Sequence, residues 1–148
     1  FYSSEYFYNE SYNWYNNTLQ PNDESYTNTE LANAKEWKEH TNYKGTLKSI
    51  VDLVYRSDID SILIPTSEFA KHNPFLKHIT KHHQAEYQYL LYAKKCELIY
   101  ASSDPWGLQS NNDNYLLDLV KEGQQQSSQS KNKFLNLRYA YQLLKINF

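Results

Sequence analysis

The chain has 148 residues and a formal net charge of −2, and 22% of its residues are charged. That length suits one domain with a sizeable core, and the small net charge without a basic stripe argues against nucleic acid as a partner. Three glycines and four prolines are too few for the frequent tight turns of an all-β protein, so the composition points to long helices. Fifteen tyrosines suit half-wet packing and contact surfaces, because each ring carries one polar tip. The single cysteine, Cys96, lies among apolar residues of a helical stretch and reads as a buried free thiol. No apolar run reaches the length of a membrane span.

Residues 1–28 form a Tyr/Asn-rich arm, with Tyr2, Tyr6, Tyr8, Tyr12, Trp14, Tyr15 and Tyr26 set among acidic and amide residues. Neither helical nor strand period is clean there, and the arm reads as irregular, its rings filling grooves on a helical body. Residues 29–148 read as that body. Thr29 is expected to cap a helix over 30–41, with Leu31, Ala34 and Trp37 in helical spacing. Thr46 caps the next, over 47–55, whose apolar positions Leu47, Ile50, Val51, Val54 and Tyr55 follow the i, i+3, i+4, i+7, i+8 pattern. Ser57 or Asp58 starts a short helix through Ile59, Ile62 and Leu63, which Pro65 stops, and Pro74 opens another through 80.

The longest helix is expected over 82–101, with Ala85, Tyr89, Tyr92, Ala93, Cys96, Ile99 and Tyr100 in one stripe and Lys94 outside or flanking it. A loop around Pro105 and Gly107 separates it from a helix opened by Asn112 or Asp113, which loses its apolar face in the polar run 124–130. The last helix, 131–148, carries Phe134, Leu137, Ala140, Tyr141 and Leu144 on one face, expected to pack on the 89–100 segment with Ala140 near Ala93. Leu135, Tyr139, Leu143 and Ile146 extend the apolar surface. Tyr139, Leu143 and Ile146 are therefore the expected interaction surface, open to a further helix. The fold class is all-α, a helical bundle or stacked helix pairs.

Chemistry-bearing motifs are sparse. His78, His82 and Glu86 share one helical face at i, i+4 spacing, with His83 beside them, and are weak candidates for a metal site; a helix break near Lys81 would part them. Asp58, Asp60, Glu97 and Asp104 have sufficient structural roles as helix-start and turn residues. Arg138, in a largely apolar helix, is expected to pair with a buried carboxylate or cap a helix C-terminus. No phosphate loop, nucleophile elbow or Cys–His dyad is present, so no catalytic residue and no cofactor is assigned.

Three segments carry a resemblance. Leu53-Val-Tyr-Arg-Ser-Asp-Ile-Asp-Ser-Ile62, Tyr89-Leu-Leu-Tyr-Ala-Lys-Lys-Cys-Glu97 with Asp104-Pro-Trp106, and Phe134-Leu-Asn-Leu-Arg-Tyr-Ala-Tyr-Gln-Leu-Leu144 resemble the N-terminal region of large, mostly uncharacterised secreted or surface proteins of Bacteroidetes type. In those proteins the last motif precedes tetratricopeptide-like helical repeats. The resemblance implies an extracytoplasmic location (periplasm or cell surface) and a helical scaffold; the aromatic-rich composition and the lack of catalytic motifs add the expectation of an interaction scaffold with a protein partner rather than an enzyme. That location leaves room for a lipid anchor ahead of Phe1. The competing expectation is a carbohydrate-active enzyme or glycan-binding module that stacks sugars on Trp14, Trp37 or Trp106.

Overall fold

The structure, a computed structural model, describes residues 26–102 and 113–147. Every regular element among them is helical, and the all-α expectation is met.

Helix α1 is Asn28–Thr41. It starts two residues earlier than Thr29 suggested, because Thr27, not Thr29, has a glutamate three positions on. The Thr27 hydroxyl accepts from the Glu30 N–H at 3.1 Å, and the Glu30 carboxylate accepts from the Thr27 N–H at 3.2 Å. This reciprocal box satisfies two otherwise orphaned donors. Asn42 ends the helix in the left-handed region at φ 52°, which asparagine tolerates better than most residues.

Helix α2, Leu47–Val51, is capped by Thr46 as expected and then widens into one π-helical turn, Asp52–Arg56. The wider turn receives a buried cation. Lys94, expected outside or flanking its helical stripe, is only 2% exposed, and its ammonium donates to the Val54 carbonyl at 2.7 Å. A cation placed where a helix leaves its carbonyls open satisfies both partners.

Asp58 caps α3, Ile59–Leu63, accepting from the Ser61 N–H at 2.8 Å. A short α4, Glu68–His72, follows under a Ser67 cap. It buries no residue, so it left no apolar period to read. Helix α5 is Pro74–His82; Asn73 caps it and also donates to the Ser49 carbonyl at 2.9 Å, tying α5 to α2. The chain breaks at His83, and α6, Gln84–Ser102, then runs through the centre against α3, α5, α7 and α8. Helices α7, Asp113–Gln129, and α8, Lys133–Asn147, form a hairpin on the short turn 130–132. The polar run 124–130 is therefore the solvated end of α7 almost throughout, rather than a loop.

Trp37 of α1 lies at the heart of the core, 1% exposed. Its ring meets Phe134 edge-on at 5.0 Å, Phe75 edge-on at 6.1 Å and Tyr89 at 6.0 Å, the separations that ring quadrupoles favour.

Apart from Phe134, which packs on Trp37, the face of α8 is the reverse of the expected one. Tyr139 and Ile146 are buried and Leu143 is half-buried, so the three expected interaction residues belong to the interior. Leu137 is 65% and Leu144 48% exposed, and Ala140 also faces outward. Both stripes are apolar in sequence, and the tyrosines of α6 decide between them. Tyr89 packs edge-on against Tyr139 at 5.1 Å and Tyr92 lies 5.4 Å from it.

The close approach occurs at Gly123 of α7 rather than between Ala93 and Ala140. A Cβ there would overlap the Tyr92 hydroxyl and ring and press on Leu143. Tyr92 fills that space and donates its O–H to the Leu119 carbonyl at 3.0 Å.

Candidate functional site

The histidines of this segment lie close together without forming a ligand set: the His82 and His83 rings are centred 5.5 and 5.2 Å from that of His78. His78 Nε2 lies 2.9 Å from the Thr41 carbonyl, on the last turn of α1, while His82 is exposed. Glu86 turns away from both toward His40 of α1, at 2.8 Å. The α5–α6 break at His83 thus removes the common face on which the metal expectation for His78, His82 and Glu86 rested. Among the described residues no three histidine, cysteine or acidic side chains are placed to hold one ion.

What the segment builds instead is a polar junction. Asn132 accepts the Phe134 N–H on its Oδ1 at 2.9 Å, which fixes the rotamer and aims its Nδ2 inward. That Nδ2 lies 2.9 Å from His40 Nε2 and donates to Glu86 Oε1 at 3.3 Å. A protonated Nε2 serves Glu86 and an unprotonated one serves Asn132, so a single proton position has two claimants. Phe134 stacks on the imidazole at 4.0 Å, nearly parallel. Helix α1, helix α6 and the hairpin turn are fastened at one point, with the Glu86 carboxylate almost wholly buried.

Beside this junction an open groove of about 630 Å³ runs between the first half of α6 and the closed end of the hairpin. It is lined by Ala85 and Gln88 of α6, Gln126 and Gln129 of α7, the turn residues Ser130, Lys131 and Asn132, and Leu135 and Tyr139 of α8, the last two buried. Two lining amides are already engaged within the protein: Gln126 accepts from the Tyr139 hydroxyl and donates to Glu122 at 3.1 Å, and Asn132 is held as above. Burial pushes the Tyr139 phenol well above its ordinary range, so it stays a neutral donor. Little in the residue pattern signals this groove, because its glutamines read as a solvated tail of α7.

The remaining candidates have structural partners. Arg138 donates to Asn33 at 2.7 Å and to Glu36 at 2.8 Å and lies over the Phe134 ring at 3.6 Å, joining α8 to α1. Its carboxylate partner is exposed rather than buried. Hydrogen bonds from Ser61 hold the Asp58 carboxyl below the usual range, and Glu97 accepts from Lys94. Cys96 is buried, and burial pushes its thiol up to about 11, which makes it a poor nucleophile. Of the tryptophans expected to stack sugars, Trp37 is interior and offers no platform. Trp14, Trp106, Asp104 and most of the aromatic arm lie outside the described residues. No helix of the described residues is long and apolar enough to cross a membrane. Comparison with protein-family models, with curated proteins and with solved structures gave no match.

Proposed function

We propose that the chain is a non-catalytic interaction scaffold, part of an extracytoplasmic helical-repeat protein that binds other proteins. The outward face of α8 supports this reading. Leu137, Ala140 and Leu144 recur at helical spacing on the hairpin's outer side, and Leu137 is 65% exposed. Stacked helix pairs extend by adding the next pair to such a face, and protein partners dock on it in the same way. Each chemical cluster of the described residues also has a sufficient role in fastening helices together.

Photo-crosslinking in the cells that make the protein tests the proposal. A crosslinker at position 137 is expected to trap a discrete protein product, or a following segment of the same polypeptide. The same group at exposed Lys77 serves as the control. Equal, diffuse labelling at both positions overturns it.

A further inference from the structure

We propose that the acidic, aromatic segment 1–25 docks on the outward face of α8 in the same molecule, as an internal competitor for the partner. The proposal rests on the scaffold reading for that partner and adds how the same face is regulated.

Charge, apolar match and tether all point to this occupant. Residues 1–25 carry Glu5, Glu10, Asp23 and Glu24 and no lysine or arginine. Helix α8 is the converse, with Lys133, Arg138 and Lys145 and no acidic residue. Arg138 is engaged by Glu36, and exposed lysines stand at both ends of the outward face. Opposite charge steers and registers such a contact.

Among the five longest described helices, only α5 and α8 lack an acidic residue. Helix α5 exposes no large apolar side chain, whereas α8 exposes Leu137, Tyr141 and Leu144, at helical spacing from Lys133. Eight of the first fifteen residues are Phe, Tyr or Trp. Such rings cover an apolar face at low entropy cost.

The segment joins the described chain at Tyr26, whose O–H donates to Asp52 at 3.4 Å and whose ring lies 5.9 Å from the Arg56 guanidinium. On the same π-helical turn, the Tyr55 hydroxyl accepts from Asn33 at 2.8 Å, and Asn33 accepts from Arg138 at 2.7 Å. The root of the segment is thus linked through Tyr55 and Asn33 to the middle of α8. Residues 1–25 reach up to about 80 Å when extended, against roughly 22 Å for the whole of α8. A tether also supplies an effective concentration on the order of millimolar, which populates even a weak contact. Docked and undocked forms are comparably populated, so the contact adds little to the stability of the fold. A second copy is the poorer occupant. Pairing α8 with α8 about a two-fold axis would set lysine against lysine with no acid to answer them.

The test is photo-crosslinking in the purified, intact chain, with p-benzoylphenylalanine at position 137 and adducts located by mass spectrometry. The same group at Lys77, on basic α5, is the control for charge alone. Adducts at 137 should fall within residues 1–25 and persist on dilution, with few at 77. At low ionic strength, Glu5→Lys with Glu10→Lys should lower their yield roughly threefold or more, and adding Lys133→Glu with Lys145→Glu should restore it. Unchanged circular dichroism shows that the variants remain folded. Adducts at 137 that miss residues 1–25, fade on dilution or appear equally at 77 overturn the proposal, as does a yield indifferent to charge reversal. Partner capture at 137 in cells, without such adducts in the purified chain, overturns the docked segment and leaves the scaffold reading. Adducts without any partner in cells do the reverse.

Discussion

Gly123 shows how one missing side chain sets the spacing of two helices. Glycine in a helix interior costs about 1 kcal/mol relative to alanine, so an exposed Gly→Ala change there would stabilise. Here the added methyl would meet the Tyr92 ring and Leu143. Overpacking a filled interior costs roughly 1–3 kcal/mol and outweighs the helical gain. Gly123→Ala should therefore lower the urea midpoint, whereas Ser128→Ala on the exposed side of the same helix should leave it nearly unchanged. An unchanged midpoint for Gly123→Ala would mean that α6 and α7 are less closely packed than described. Sequence spacing pointed to the alanines as the contact because small residues on apolar faces allow close approach. The true position sits in a polar run, where only Tyr92, 31 residues earlier in the chain, gives the glycine its purpose.

Helix starts were mostly legible, because they depend on a few local hydrogen bonds. The caps at Thr46 and Asp58 and the first-turn Pro74 all stand where the residue types place them. The start of α1 moved only to the neighbouring threonine with the better-placed glutamate. The inward face of α8 was not legible. It carries two apolar stripes, and the choice between them is made by tyrosines of α6 and by the reach of Arg138 to α1, both remote in sequence. The groove was hidden for the same reason, since its lining comes from three helices and a turn. Substitutions can weigh the two stripes against each other. Leu135→Ala should cost roughly 2–5 kcal/mol, as expected for a buried leucine. Leu137→Glu combined with Leu144→Glu should stay within about 0.5 kcal/mol of the parent in denaturant melts. Equal costs would mean that both stripes are covered.

At the scale of the whole molecule, the tyrosine-rich interior makes the fold sensitive to alkali. Burial pushes the Tyr89 phenol from 10.0 up to about 12 and the Cys96 thiol from 9.0 up to about 11, and it raises Tyr139 as well. In the unfolded chain these groups lose their protons at ordinary values, so above those values the unfolded state holds fewer protons than the folded one. Stability is then complete below about pH 9 and declines as pH rises through the window from 9.0 to about 12. Thermal midpoints should fall steeply across that range, and the share of the tyrosinate absorbance that belongs to Tyr89 and Tyr139 should appear together with unfolding. Full ionisation of all fifteen tyrosines with no loss of helix would contradict the burial of these rings. The bonds from Asn132 to His40 and from Arg138 to Asn33 also set an order of events in synthesis. They join residues 92 and 105 positions apart, so on the ribosome α1 is complete long before its partners emerge. The side of Trp37 that meets Phe134 stays uncovered until the hairpin has left the exit tunnel, so the core closes only at the end of translation of this segment and is open to chaperones until then.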